Sequence, residues 1–240
     1  MQNSNTQRLV FLWCVPRSIS TAFEKMIAYS NQFVTVGEPF IDIYKRSILS
    51  ADDKRYANTE FQYCCDSLLE QSNNSPVFVK DMAYHALPFI RDDLIQSTSH
   101  VFLTRDPQLS IPSLYQMRPD FSDDQPGFEG QYALFKRVRD ISGITPLVID
   151  GEHLRDNPQN IVASFYDYIG YDMPADVLQW PKGSRQEWKG REEWHIDAIN
   201  SESFTNRTSP PDYSNLPDRI TALIGQNKYY YEQLRQHINT

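Results

Sequence analysis

The sequence predicts an α/β protein with a central, mostly parallel β-sheet flanked by helices. Two observations carry this. Short continuous apolar runs recur along the chain, as strands buried on both faces require. Segments with helical spacing of apolar residues lie between them, and that alternation builds a parallel sheet covered by helices. The chain has 240 residues, 40% hydrophobic and 22% charged. That is enough to bury one core, so residues 1–240 are read as a single domain.

The elements follow in order. Arg8 to Val15 (RLVFLWCV) is the first buried run, ended by Pro16. Ile19, Ala22, Phe23, Met26 and Ile27 stand at i, i+3, i+4, i+7 and i+8, which gives a helix one apolar face. Phe33 to Val36 adds a strand. Pro76 to Lys80 (PVFVK) and His100 to Thr104 (HVFLT) are two more, the latter followed by Arg105-Asp106-Pro107. Asp106 suits an N-cap and Pro107 a first helical position. Pro112 is expected to bend the helix they open. Tyr132 to Ile141 has helical spacing, and Pro146 to Asp150 (PLVID) reads as a strand. Pro158 to Ile169 is an amphipathic helix stopped by Gly170. Ser201 to Pro217, rich in Ser, Asn, Pro and Asp, reads as a long loop. Leu216 to His237 is the last helix, with Tyr229, Tyr230 and Tyr231 expected to pack.

Composition narrows the function classes. A net charge of −8 disfavours broad nucleic-acid or membrane-surface binding. Leu9 to Val15 is too short for a membrane span or a signal-peptide core, so a cytoplasmic protein is expected. The three cysteines, Cys14, Cys64 and Cys65, have no zinc-site spacing and suggest no disulfide framework. No metal is expected. Asn206-Arg207-Thr208 fits a glycosylation acceptor, which carries no weight without a secretory signal.

In open α/β sheets ligands bind at the carboxyl ends of the strands, and three segments near such ends carry unusual residues. Pro16-Arg17-Ser18-Ile19-Ser20-Thr21 joins the first strand to its helix. A helix N-terminus there offers unpaired amides to an anion, Arg17 adds charge, and Ser18, Ser20 and Thr21 add hydroxyls. The nucleotide motif GxxxxGK[ST] is absent, and the loop has no glycine. Arg105 ends the third apolar run, with Ser113 eight residues on, and the two can share a phosphate. Lys182, Gly183, Arg185, Lys189 and Arg191 are interleaved with Trp188 and followed by Trp194; cations beside indoles suit a phosphorylated nucleotide.

Strand–PRSxSTxF–helix followed by strand–RDP–x5–Ser resembles the sulfotransferase family that uses 3′-phosphoadenosine-5′-phosphosulfate (PAPS). The resemblance spans roughly residues 8–170, including VIDGEHLRDNPQNIVASFYDYIG at Val148 to Gly170. It implies a P-loop NTPase-like sulfotransferase fold. It also implies PAPS as cofactor, with 3′-phosphoadenosine-5′-phosphate (PAP) as product, and a small-molecule acceptor. By that resemblance Arg17, Ser18, Ile19, Ser20 and Thr21 form the 5′-phosphosulfate loop, and Arg105 and Ser113 hold the 3′-phosphate. Lys182, Gly183, Arg185 and Trp188 would cover the nucleotide. Many members of the family have Lys in place of Arg17 and Gly in place of Ile19.

The implied reaction is a metal-independent in-line transfer, with Arg17 stabilising charge on the leaving oxygen and Lys80 assisting at the sulfuryl group. His85, after the strand ending at Lys80, and Glu38, in Gly37-Glu38-Pro39, are two candidate bases. The segment Met117 to Phe128, with Asp120, Asp123 and Asp124, is a candidate acceptor loop that would favour a cationic acceptor. A nucleotide-dependent phosphotransferase and a non-catalytic nucleotide-binding protein remain as alternatives.

Overall fold

The computed structural model describes residues 7–49, 51–204, 213 and 215–238. The polar N-terminal residues and Asn206-Arg207-Thr208 lie outside them, as does most of the second half of the Ser201 to Pro217 loop. Five strands form one sheet: β1 (Leu9–Cys14), β2 (Val34–Gly37), β3 (Val77–Met82), β4 (Ser99–Thr104) and β5 (Leu147–Asp150). Their order is β2-β3-β1-β4-β5, and every named pair is parallel. β1 lies at the centre, and all six of its residues are buried, which is why its sequence is apolar without alternation.

Eleven α-helices complete the described chain. They are α1 (Ser20–Tyr29), α2 (Ile41–Ser47), α3 (Ala51–Asn74), α4 (Ala83–Ala86), α5 (Asp92–Ser97), α6 (Pro107–Met117), α7 (Phe128–Ser142), α8 (Gly151–Asp156), α9 (Pro158–Ile169), α10 (Glu192–Asn200) and α11 (Asp218–Arg235). One core layer joins Phe11, Trp13, Phe40, Phe61, Phe102 and Phe135 beneath α3 and α7. The opposite layer joins Val10, Leu12, Phe23, Phe78 and Phe165 beneath α1 and α9. The two faces of β1 therefore feed two separate apolar layers. Among the described residues no helix is long and apolar enough to cross a membrane.

Local chemistry sets the boundaries. The Asp106 carboxylate accepts from the amide of Gln108 and Pro107 opens α6, as expected. Pro112 lies inside α6 without ending it. Gly170 closes α9 in the left-handed conformation, at φ 75°. Asp150 ends β5, accepts from the amides of Glu152 and His153 to open α8, and accepts from the Tyr231 hydroxyl at 2.9 Å. Tyr231 is thus buried packing that ties α11 to the sheet. Gln131 of α7 donates to the carbonyls of Trp13 and Leu103, both at 3.0 Å. It satisfies two groups at the carboxyl end of the sheet, where dry, unpaired carbonyls would cost stability. The cysteines are free thiols, Cys14 and Cys65 buried and Cys64 partly so.

Candidate functional site

A cleft of about 390 Å³ opens at the carboxyl ends of β1, β3 and β4. Its floor is the loop from Pro16 to Thr21. Arg17 and Ile19 both have left-handed backbones, at φ 61° and 75°, in a segment without glycine. A β-branched residue in that region costs about 1–2 kcal/mol. The turn is held by its neighbours. Ser18 is buried and donates to the Val15 carbonyl at 2.7 Å. Gly151 abuts the loop so closely that a β-carbon there would stand 3.0 Å from the Ser18 carbonyl oxygen. No side-chain hydrogen bond caps the start of α1, so its first amides face the cleft with the positive end of the helix dipole.

Two arginines meet at this loop. Arg105, 3% exposed, donates from Nη1 to the Arg17 carbonyl at 3.0 Å and from Nε to Glu152 at 2.7 Å. Arg17 donates from Nε to the Ser113 hydroxyl at 3.0 Å. It also reaches the Trp194 carbonyl at 3.3 Å and Asp197 at 3.1 Å. Arg17, Ile19, Ser20, Thr21 and Arg105 line the cleft; Ser18 and Ser113 stand behind it as supports. The start of α1, two hydroxyls and two guanidiniums therefore converge on one volume, which is what a phosphorylated anion requires.

The opposite wall comes from β2, β3 and α2. Glu38 follows β2 with φ 51°, and its carboxylate accepts from the Lys80 ammonium at 2.5 Å. Burial would raise the Glu38 pKa, but the charge and hydrogen bond of Lys80 outweigh it and bring it to about 2. Lys80 also stands 3.8 Å from Glu24. Burial disfavours its charge, yet the two carboxylates hold the ammonium above the usual lysine range. Lys80 does not line the cleft itself; Glu38 stands in front of it. Gly37 leaves room for this cluster, since a β-carbon there would stand 2.9 Å from Glu24 Oε1.

His85 lines the same wall. Its Nδ1 is 2.6 Å from Asp81, whose other oxygen accepts from the Phe40 amide at 2.8 Å. The ring is flanked by Tyr44 and Tyr84, with centroids 5.2 and 4.4 Å away. Asp81 thus fixes the ring and its tautomer, as the acid of a His–Asp pair does in acyl-transfer enzymes. The i, i+4 spacing of Asp81 and His85 could have marked this pair in the sequence. Ile41, Tyr44 and Lys45 of α2 and its C-cap Ile48 form one face along the cleft.

The roof is α10, with Arg191 just before it and Trp194, His195, Asp197 and Ala198 on its cleft side. Lys25, fully buried, donates to the carbonyls of Ala198 and Ser201 at 2.8 and 3.2 Å and holds the helix end. His195 was missed in the sequence: EEWHIDAIN has little apolar periodicity, and only the fold carries it to the cleft.

Lys182, Gly183, Arg185 and Trp188 do not line the cleft. Lys182 is exposed and 3.5 Å from Glu202. The Gly183 amide donates to the Ile199 carbonyl at 2.9 Å. Arg185 donates to Thr35 at 2.7 Å and approaches Glu24. Trp188 is buried under His195, ring centroids 5.0 Å apart. These residues shape the roof from behind, and Arg191, Trp194 and His195 face the cleft in their place. The acids of the candidate acceptor loop are engaged: Asp120 with Arg118, Asp123 with Arg219, and Asp124 with Tyr44 and Ser122. Among the described residues no cluster of His, Cys, Asp and Glu could hold a metal ion.

Comparison with known proteins agrees with the fold. A family model described as a sulfotransferase domain matches residues 8–218. Solved structures of similar fold include a sulfotransferase domain from the curacin biosynthetic pathway (TM-score 0.53, 12% identity, 90% of this chain and 96% of that one). A sulfotransferase from Alicyclobacillus acidocaldarius has a TM-score of 0.51, with 12% identity over 96% of each chain. Among curated proteins, branched-chain-amino-acid aminotransferase-like protein 2 of Arabidopsis thaliana is 22% identical over 239 residues. That match covers 96% of this chain but 42% of the plant protein, so the chain spans less than half the length of that relative.

Proposed function

Because the chain belongs to the sulfotransferase domain family, we propose that it moves the sulfuryl group of PAPS to a hydroxyl or amine of a small acceptor. The observation that carries this reading is the meeting of Arg17 and Arg105 at the uncapped start of α1. The residues fit the cofactor. Arg17, Ser20, Thr21 and the first amides of α1 would hold its 5′ anion, and Arg105, with Arg17 kept in place by Ser113, would face its 3′-phosphate. When bound, the cofactor supplies the electrophilic sulfuryl group and a phosphate leaving group.

The chain's own residues do the rest. Arg17 and the α1 amides stabilise negative charge as it grows on the leaving oxygen. His85, oriented by Asp81, takes the acceptor's proton. Glu38, whose carboxyl the Lys80 ammonium holds well below the usual carboxylate range, is a poor proton acceptor near neutral pH. It offsets the charge of Lys80 and helps to hold the acceptor. Ile41, Tyr44 and Ile48 present an apolar wall to the acceptor's body.

Calorimetric titration with PAP, with ADP and ATP as controls, tests the reading. Micromolar binding of PAP, with ADP at least about tenfold weaker, a difference of about 1.4 kcal/mol, is the expected result. Equal or tighter binding of ATP would overturn it in favour of a phosphotransferase.

A further inference from the structure

His195 occupies a position that the proposed chemistry has not used. It comes from α10, at the roof, and lines the same cleft as His85. Its Nδ1 lies 3.4 Å from the Thr21 hydroxyl, directly over the start of α1. Its ring rests on Trp188, at an interplanar angle of 33°. The helix that carries it is held near one end by Arg17, through Trp194 and Asp197, and at the other by Lys25. The imidazole is therefore fixed against the loop that would hold the 5′ anion.

We propose that His195 is a further catalytic residue, which takes up a proton as the 5′ anion binds and donates a hydrogen bond to the leaving phosphate oxygen. The inference rests on the sulfotransferase reading above. In the transfer, the bond between sulfur and the 5′-phosphate oxygen breaks and its electron pair stays on that oxygen. A new bond forms from sulfur to the acceptor's oxygen or nitrogen. The acceptor's proton passes to His85, and the proton on His195 comes from solvent at the binding step.

The charges around His195 explain why binding would protonate it. Burial disfavours the imidazolium. Lys80 from β3, Arg17 from the β1 loop and Arg191 before α10 oppose it further, and Glu38 after β2 opposes these only in part; the net effect lowers the pKa to about 4. Asp197, on the same helix, is turned to Arg17. A multiply charged anion beside Thr21 and His195, at the start of α1, supplies the missing countercharge and raises the pKa toward neutrality. A group neutral in the free protein and charged in the complex makes affinity rise as pH falls.

The test is PAP affinity measured by calorimetry from pH 5 to pH 8. It uses the wild-type chain, His195→Gln, His195→Phe (which keeps a ring on Trp188) and His85→Gln, each checked for an unchanged thermal midpoint. The second ionisation of the ligand's own phosphates, near pH 6, is common to all four, so differences between proteins read the histidine. Wild type should gain affinity relative to both His195 variants as pH falls from 7 to 5, approaching a tenfold difference per pH unit in the single-proton limit. His85→Gln should keep the wild-type profile. Parallel profiles for wild type and the His195 variants overturn the inference and leave the sulfotransferase reading intact. A profile that changes only in His85→Gln also overturns it. Failure of the wild-type chain to bind PAP overturns both.

Discussion

The Arg105 guanidinium donates to the main-chain carbonyl of Arg17 across 3.0 Å, joining the loop after β4 to the loop after β1. Arg17 completes the circuit by donating to Ser113 on α6. The two strand ends that an anion would bridge are thus already one unit. Arg105→Ala should cost about 2–4 kcal/mol of PAP affinity, the usual result of removing one partner of a buried charged contact. Calorimetry reads this directly. A change of less than about threefold, or 0.7 kcal/mol, would remove Arg105 from the nucleotide site.

Asp81 fixes His85 through a 2.6 Å contact. Asp81→Asn should lower kcat by about 100-fold, the scale of a lost acid–base contribution, with PAP affinity kept within a few-fold. Steady-state kinetics with an acceptor from a screen, alongside calorimetry, separates the two quantities. Equal loss in both would point to a collapsed wall and not to a disoriented base.

His100 sets an acid limit on the fold. It is 2% exposed, and its Nδ1 accepts from the Trp13 indole at 2.9 Å, which requires the neutral ring. Burial lowers its pKa to about 4, against about 6.5 unfolded. The unfolded state therefore binds the proton more readily, so the stabilisation is complete above pH ~6.5 and lost as pH falls through about 4. Thermal midpoints measured from pH 8 to pH 4 should fall, and His100→Gln should flatten that fall. An unchanged slope in the variant would assign the acid lability elsewhere.

A β-carbon at Gly151 would stand 3.0 Å from the Ser18 carbonyl oxygen and 3.2 Å from Ile19 Cδ1, so the loop would have to give by a few tenths of an ångström. Gly151→Ala should destabilise the fold by about 1–3 kcal/mol, the usual cost of overpacking, and weaken PAP binding by moving the loop. Wild-type stability with full affinity would mean that α8 yields freely and does not shape the loop.

β1, β3, β4 and β5 were legible because burial on both faces leaves a plain signature: β1 is LVFLWC, buried at every position. Arg17, Thr21 and Arg105 were legible because they sit at strand ends, where the topology concentrates ligands. Asp81 and Glu24 were less so, since a carboxylate in a sequence does not announce the partner that the fold will give it. Lys182, Gly183, Arg185 and Trp188 illustrate the same limit. Their types and order suit a nucleotide, but Arg185 is drawn to Thr35 and Glu24 instead. The cleft-facing positions pass to Arg191, Trp194 and His195, a choice made by the packing of α10 on Lys25 and Arg17.

The turn from Pro16 to Thr21 has a consequence for engineering. A loop shaped by glycine carries its form within its own sequence. This one bends at Arg17 and Ile19 against their intrinsic preference and borrows its form from Arg105, Gly151 and Ser113. Transplanted alone into another strand–helix unit, PRSIST should relax and lose the form that the proposed anion site needs. Moving the site means moving the three strands' ends that surround it.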